Sequence, residues 1–264
     1  MTTVPNYKIF VVSLPDSPRR KQVVQEFAKH EMDFEFVDAI WGNGLDLYND
    51  ERINVKRLTE IGMIKIPGNV GAALSHIKCQ QKIVEENLDF ALIVEDDMAL
   101  KPEFKLLLPE VIKLSTREGV TMLFYQSLSE IILEKSKSIQ IDHSYSLYEY
   151  TSDKTIFSAA AYIVWNNTAR RIVDYLLPVC ASPDAWSLFK KDGVIKDIQV
   201  VYPMLFSHAL CPSEMEYPVK SRIKKMLNPL TKNLKHMNIP VVQSLLKRWR
   251  NRLIKSQQQV KLVE

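Results

Sequence analysis

Apolar and polar positions alternate along this chain in blocks that switch between two periods. "YKIFVVSL" (7–14) is rich in β-branched and aromatic residues and halts at Pro15, which predicts a strand. "DSPRRKQVVQEFAKHEM" follows with Ser17 as a capping residue, Pro18 suited to a first helical turn, and Val23, Val24 and Phe27 as an apolar stripe. "FEFVDAI" (34–40) predicts a second strand, so the opening reads as a βαβ unit on a parallel sheet. Residues 41–71 carry Gly42, Gly44, Gly62, Pro67, Gly68 and Gly71 and read as loop-rich. A helix is expected over 72–88, a buried strand at "FALIVEDD", a helix opened by Pro102, and a strand over 120–126. The stretch 127–155 is polar and ambiguous. "FSAAAYIVW" (157–165) predicts a strand, "NNTARRIVDYLL" a helix ending near Pro178, and "IQVVYPMLF" (198–206) the last strand of the body. The sum is an open α/β sheet, in which ligands bind beyond the carboxyl ends of the strands.

One such end carries chemistry. Five apolar residues run into Glu95-Asp96-Asp97, and carboxylates are rarely buried without a partner. Magnesium and manganese favour carboxylate and phosphate oxygens, so an acidic strand end can hold an ion against a diphosphate. Glu95 and Asp97, two apart on an extended chain, are expected to point the same way. The plain alternative is a solvated strand end.

Charge divides the chain. Residues 219–264 hold 12 Lys/Arg against the single acid Glu264, whereas the rest has 23 bases against 30 acids. "VVQSLLKRWRNRLIK" sets Val242, Leu245, Leu246, Trp249 and Leu253 at helical spacing among five cations. A basic amphipathic helix of this kind suits an anionic membrane surface, the alternative being that its apolar face packs on the body. The expected division is a catalytic body over 1–218 and a basic helical tail over 219–264. The basic n-region of a signal peptide is missing from the start and there is no 20-residue apolar run, so the expected place is the cytoplasm, at the membrane's inner face. Cys79, Cys180 and Cys211 are scattered, which argues against a disulfide framework or zinc site.

"VGAALSHIKCQQ…LDFALIVEDDMAL" resembles the core of glycosyltransferase family 25, whose pattern is a Gly, a Leu-Ser-His at a helix start and a strand ending in Glu-Asp-Asp. "VSLPDSPRR", "FEFVDAI", "FSAAAYIVWNNTARRIVDYL" and "SPDAW" resemble further segments, so the likeness covers roughly 7–210. Ser13, Pro15 and Asp16 stand where the family often has Asn, Asp and Arg; Ala72 replaces a Cys, Gln80 a Trp and Ser158 a Gly.

The resemblance implies a GT-A-like nucleotide-sugar fold, a UDP-sugar donor, a manganese or magnesium ion, and inversion at the anomeric carbon. The implied acceptor is a lipid-linked lipooligosaccharide and the implied sugar galactose or glucose. Glu95 and Asp97 are then expected to serve metal and nucleotide, Asp96 the ribose or sugar, and Ser13, Arg20, Asp38, Ser75 and His76 the donor. Ser75 and His76 are placed at a helix start, where anions are favoured. Between Arg19 and Arg20, the second is preferred for the diphosphate. Inversion needs a carboxylate base remote in sequence from the acidic triplet. Asp184, expected to cap the helix at "AWSLF", is the candidate and Asp153 the reserve. His208 is a further candidate ligand, although an ordinary strand-end histidine is the simpler reading. Trp41 and Trp186 can stack on an acceptor or belong to the core, and Tyr162 is expected to pack the sheet. Two other classes compete: a metal-dependent nucleotidyltransferase or phosphatase using the same acidic end, and a nucleic-acid binder led by the tail, which the acidic body argues against.

Overall fold

The structure, a computed structural model, describes residues 5–209 and 260–264. Its centre is an eight-stranded sheet built from β1 (Tyr7–Ser13), β2 (Glu35–Asp38), β3 (Phe90–Glu95), β5 (Val120–Ser127), β7 (Ser138–Gln140), β8 (Ser146–Glu149), β9 (Ile156–Trp165) and β10 (Ile198–Tyr202), in the order β2-β1-β3-β9-β5-β10-β8-β7. Only β8 and β9 run against the rest, so the sheet is largely parallel, as expected. Side chains alternate across it. Phe10, Val12, Ala91 and Ile93 face one core, whereas Ile9, Val11, Leu92 and Val94 face the other. The first core is closed by α2 (Val55–Glu60), α3 (Pro67–Glu85), α5 (Asn166–Leu176) and α6 (Trp186–Lys191). The second is closed by α1 (Arg19–Lys29) and α4 (Phe104–Leu114). The protein is thus a three-layer α/β/α sandwich.

Several elements differ from expectation. The loop-rich stretch contains α2 and the first turn of α3, which starts at Pro67 rather than Ala72. Proline at the first helical position costs no hydrogen bond there. Gly71 is tolerated inside α3 because the segment after β2 lies directly on it. A Cβ on Gly71 would fall 2.5 Å from the Ile40 carbonyl oxygen, and one on Gly42 would fall 2.0 Å from that of Pro67. The strand expected over 198–206 breaks at Pro203. Its second half, β11 (Phe206–His208), pairs antiparallel with the short β4 (Met98–Leu100). The ambiguous stretch 127–155 supplies β6 (Ile131–Glu134), β7 and β8.

The boundary at 218/219 and the helix expected over 242–255 lie outside the described residues. At the end of the tail expected to be helical, Val260–Val263 is a strand, β12, parallel to β6. Among the described residues no helix is long and apolar enough to cross a membrane.

Candidate active site

The carboxyl ends of β1, β2 and β3 coincide. Register pairs Val12 with Glu95 and Ser13 with Asp38, which brings three segments far apart in sequence to one edge. Above that edge lies a cleft of about 830 Å³, counting its open mouth, lined by Ser13, Arg19, Ser75, His76, Glu95, Asp96 and Asp97 together with Ile40–Asn43 and Gly68. An acidic end of an interior strand therefore does open into a crevice.

The three carboxylates do not act alike. β3 stops at Glu95, and Asp96-Asp97 form the turn into β4, so strand alternation does not govern their directions. Asp96 turns inward: Arg19 Nη1 donates to its Oδ1 at 2.7 Å and Ser13 Oγ to its Oδ2 at 2.7 Å. The Arg19 and Asp96 side chains are only 10% and 9% exposed, so this is a largely desolvated pair. Asp96 is thus bonded to both Ser13 and Arg19, and the three form the floor of the cleft, where Ser13 and Asp96, both expected at the donor, remain part of its lining. Arg19 lines the cleft and Arg20 does not. Arg20 instead pairs with Asp38, whose side chain is 56% exposed, and lies over the Phe36 ring. The signal was periodicity, since Arg19 shares the buried face of α1 with Val23 and Phe27 at i+4 and i+8.

Asp97 turns the other way. Its backbone carbonyl accepts from Ala209 N at 2.6 Å, and its Oδ2 lies 3.8 Å from His208 Nδ1. The pairing of β11 with β4 delivers this neighbour, setting His208 opposite Met98. Glu95 keeps about a third of its side chain exposed and faces His76.

Ser75 and His76 sit in the third turn of α3, not at its start, so a helix N-terminus does not act on them. Ser75 Oγ donates to the Gly71 carbonyl at 2.6 Å and accepts from Ile40 N at 2.8 Å, clamping the post-β2 segment on the helix. His76 is buried between Tyr162 and Glu95. Trp41 stands half-exposed at the cleft, whereas Trp186 is fully buried and donates to the Ser158 carbonyl at 3.0 Å.

Asp184 does not line the cleft, nor does it cap α6, whose N-cap is Ala185. Its Oδ2 accepts from Ser158 N at 3.0 Å. Ser158 has φ 100°, a conformation that favours glycine. Because β9 is antiparallel to β3 and pairs Ala161 with Val94, its early residues project past the carboxyl end of β3. Ser158 and Asp184 are therefore on the acidic edge, beyond the neighbouring strand. Asp153 is exposed in the turn before β9.

The sequence model of glycosyltransferase family 25 (LPS biosynthesis protein) matches residues 6–185, the span that builds this cleft. The chain belongs to glycosyltransferase family 25. A Haemophilus influenzae protein described as a glycosyltransferase is 31% identical over 137 residues, covering 51% of this chain and 47% of its own. The procollagen galactosyltransferase 1-B of Xenopus laevis is 28% identical over 104 residues, 37% of this chain and 17% of its own. This chain therefore spans about half or less of the length of these relatives. Among solved structures, a glycosyltransferase involved in glycosylating the major capsid of PBCV-1 is 15% identical, covering 71% of this chain and 68% of its own, with a TM-score of 0.32.

Glu95 and Asp97 bring carboxylate oxygens to one side of the cleft. Among the described residues no group of three or more His, Cys, Asp or Glu encloses an ion. Magnesium and manganese need no such cage when one or two carboxylates and a diphosphate share the coordination.

Proposed function

We propose that this family 25 chain is an inverting glycosyltransferase that moves a hexose, galactose or glucose, from a UDP-sugar to the oligosaccharide of a lipooligosaccharide acceptor. The observation that carries the reading is the cleft itself: an acidic turn at the carboxyl end of an interior strand, floored by a buried Arg19–Asp96 pair, inside the segment matched by the family. Asp97 and Glu95 would hold a manganese or magnesium ion, with His208 beside Asp97. The ion would neutralise charge on the departing diphosphate.

The chain's own residues do the rest. Asp184 takes the proton of the acceptor hydroxyl. That oxygen bonds to the anomeric carbon as the bond to the diphosphate breaks, and UDP leaves with the electron pair. The Ser158 N–H fixes the orientation of the Asp184 carboxylate. Trp41 offers an exposed ring for a base or sugar face. The basic tail would place the enzyme at an anionic inner membrane surface, next to a lipid-linked acceptor.

The test is UDP release from a panel of UDP-sugars without acceptor, in manganese and in EDTA, with Asp97→Asn alongside. Slow hydrolysis of one donor, abolished in EDTA and in the variant, supports the proposal and names the sugar. Release of pyrophosphate or inorganic phosphate in place of UDP would refute it in favour of the competing metal enzymes.

A further inference from the structure

From Glu95 at the cleft a polar line runs inward through His76 and Tyr162 to Gln80, three residues to which the transfer scheme gives no role. Both ring nitrogens of buried His76 meet side chains: Nδ1 lies 3.1 Å from the Tyr162 hydroxyl and Nε2 lies 3.4 Å from Glu95 Oε1. Gln80, four residues on and so on the same face of α3, donates its Nε2–H to the same hydroxyl at 3.2 Å. The His76 and Tyr162 rings are stacked, with centroids 5.8 Å apart, and Trp186 packs edge-on against Tyr162 at 5.1 Å. Little in this line is free to turn.

Proton counting orders it. A phenol has one proton, and burial pushes Tyr162 well above its ordinary range, so the hydroxyl stays protonated. An oxygen that accepts from Gln80 gives its own proton to His76 Nδ1. Nδ1 is then the bare nitrogen, and the imidazole proton sits on Nε2, toward the Glu95 carboxylate. The reverse order, with the Gln80 amide turned and Nδ1 protonated, would set the Nε2 lone pair against a carboxylate oxygen 3.4 Å away, which is repulsive.

We infer that Gln80 and Tyr162 are positioning residues that fix His76 as its Nε2–H tautomer, whose proton holds Glu95 at the cleft. The inference rests on the proposed transfer only for what Glu95 then does; the tautomer belongs to the free protein. The same logic orients histidines elsewhere, through a partner on the nitrogen away from the working atom.

The experiment is long-range proton–nitrogen correlation NMR on the full chain labelled at histidine nitrogens, with His76 assigned by His76→Gln. The expected wild-type spectrum has a protonated Nε2 and a bare Nδ1. Tyr162→Phe removes the hydroxyl and should give a tautomer mixture. Gln80→Met, close in volume, should move the population the same way and serves if the tyrosine variant does not fold. UDP affinity in manganese should fall roughly tenfold in either variant, the lower end for loss of such a partner. A bare Nε2 or doubly protonated ring in the wild type overturns the inference, as does an unchanged tautomer population in a folded variant. A wild-type chain with the expected tautomer that binds no UDP leaves the relay standing and removes the transferase reading instead.

Discussion

Replacing Asp96 with Asn would change one oxygen for an amide nitrogen and remove one charge, at a site where both oxygens are engaged. Arg19 Nη1 and Ser13 Oγ each donate at 2.7 Å, and Arg19 is only 10% exposed. The variant keeps an acceptor for one of these donors but removes the charge that Asp96 sets against the guanidinium, in a place water hardly reaches. Breaking a buried pair by removing one partner costs about 3–5 kcal/mol, and the retained acceptor puts this case near 3. For a domain of this size, that lowers Tm by roughly 6–12 °C. Asp38→Asn is the internal control, because it breaks the Arg20 pair, whose carboxylate is 56% exposed. A pair in that setting contributes about 0–1 kcal/mol. Urea titration and calorimetry of both variants supply the comparison. Equal losses from the two, or a loss under about 1 kcal/mol for Asp96→Asn, would refute the assignment of Asp96 to the cleft floor.

Ser158→Gly should relieve the φ of 100° while losing the Ser158 Oγ bond to Ala160 N. A net gain of up to about 1 kcal/mol in thermal unfolding is expected, and a loss of stability would show that the backbone there is not strained. Gly42→Ala sets a methyl 2.0 Å from the Pro67 carbonyl oxygen, so the post-β2 loop must lift from α3. UDP binding should weaken with the loop displaced, and unchanged binding and Tm would contradict that packing. Hydrogen bonds from Lys8 and then Lys82 hold the Glu86 carboxyl below its usual value of 4.5. Its contribution is complete above pH 4.5 and is lost as pH falls through the lowered folded-state value. Wild-type Tm should therefore drop more steeply below pH 4.5 than that of Lys82→Met, and parallel curves would count against the bridge.

The parallel half of the sheet was legible because its strands carry continuous apolar runs and its crossovers are helical. Antiparallel β9 was legible as a strand but not in direction, since alternation says nothing about orientation. The early start of α3 was hidden by Gly68 and Gly71, which read as loop signals although the close approach of Ile40 and Gly42 explains Gly71. At the site, the acidic turn and Ser-His pair were visible as motifs. Their roles were not, because partners such as Arg19, Tyr162 and His208 arrive from 77, 86 and 111 positions away. The face of α1 that selects Arg19 over Arg20 was readable from Val23 and Phe27. That Asp184 binds Ser158 instead of capping α6 depends on where β9 begins, which no local pattern encodes.

The most direct measurement is calorimetric titration of the folded chain with UDP in manganese, repeated in EDTA and with Asp97→Asn. A metal-assisted nucleotide cleft at the ends of β1, β2 and β3 requires UDP to bind in manganese, to lose most of its affinity in EDTA, and to bind the variant at least tenfold more weakly, on the order of a lost metal-site contact. Binding of equal strength in all three conditions, or none in manganese, would contradict it.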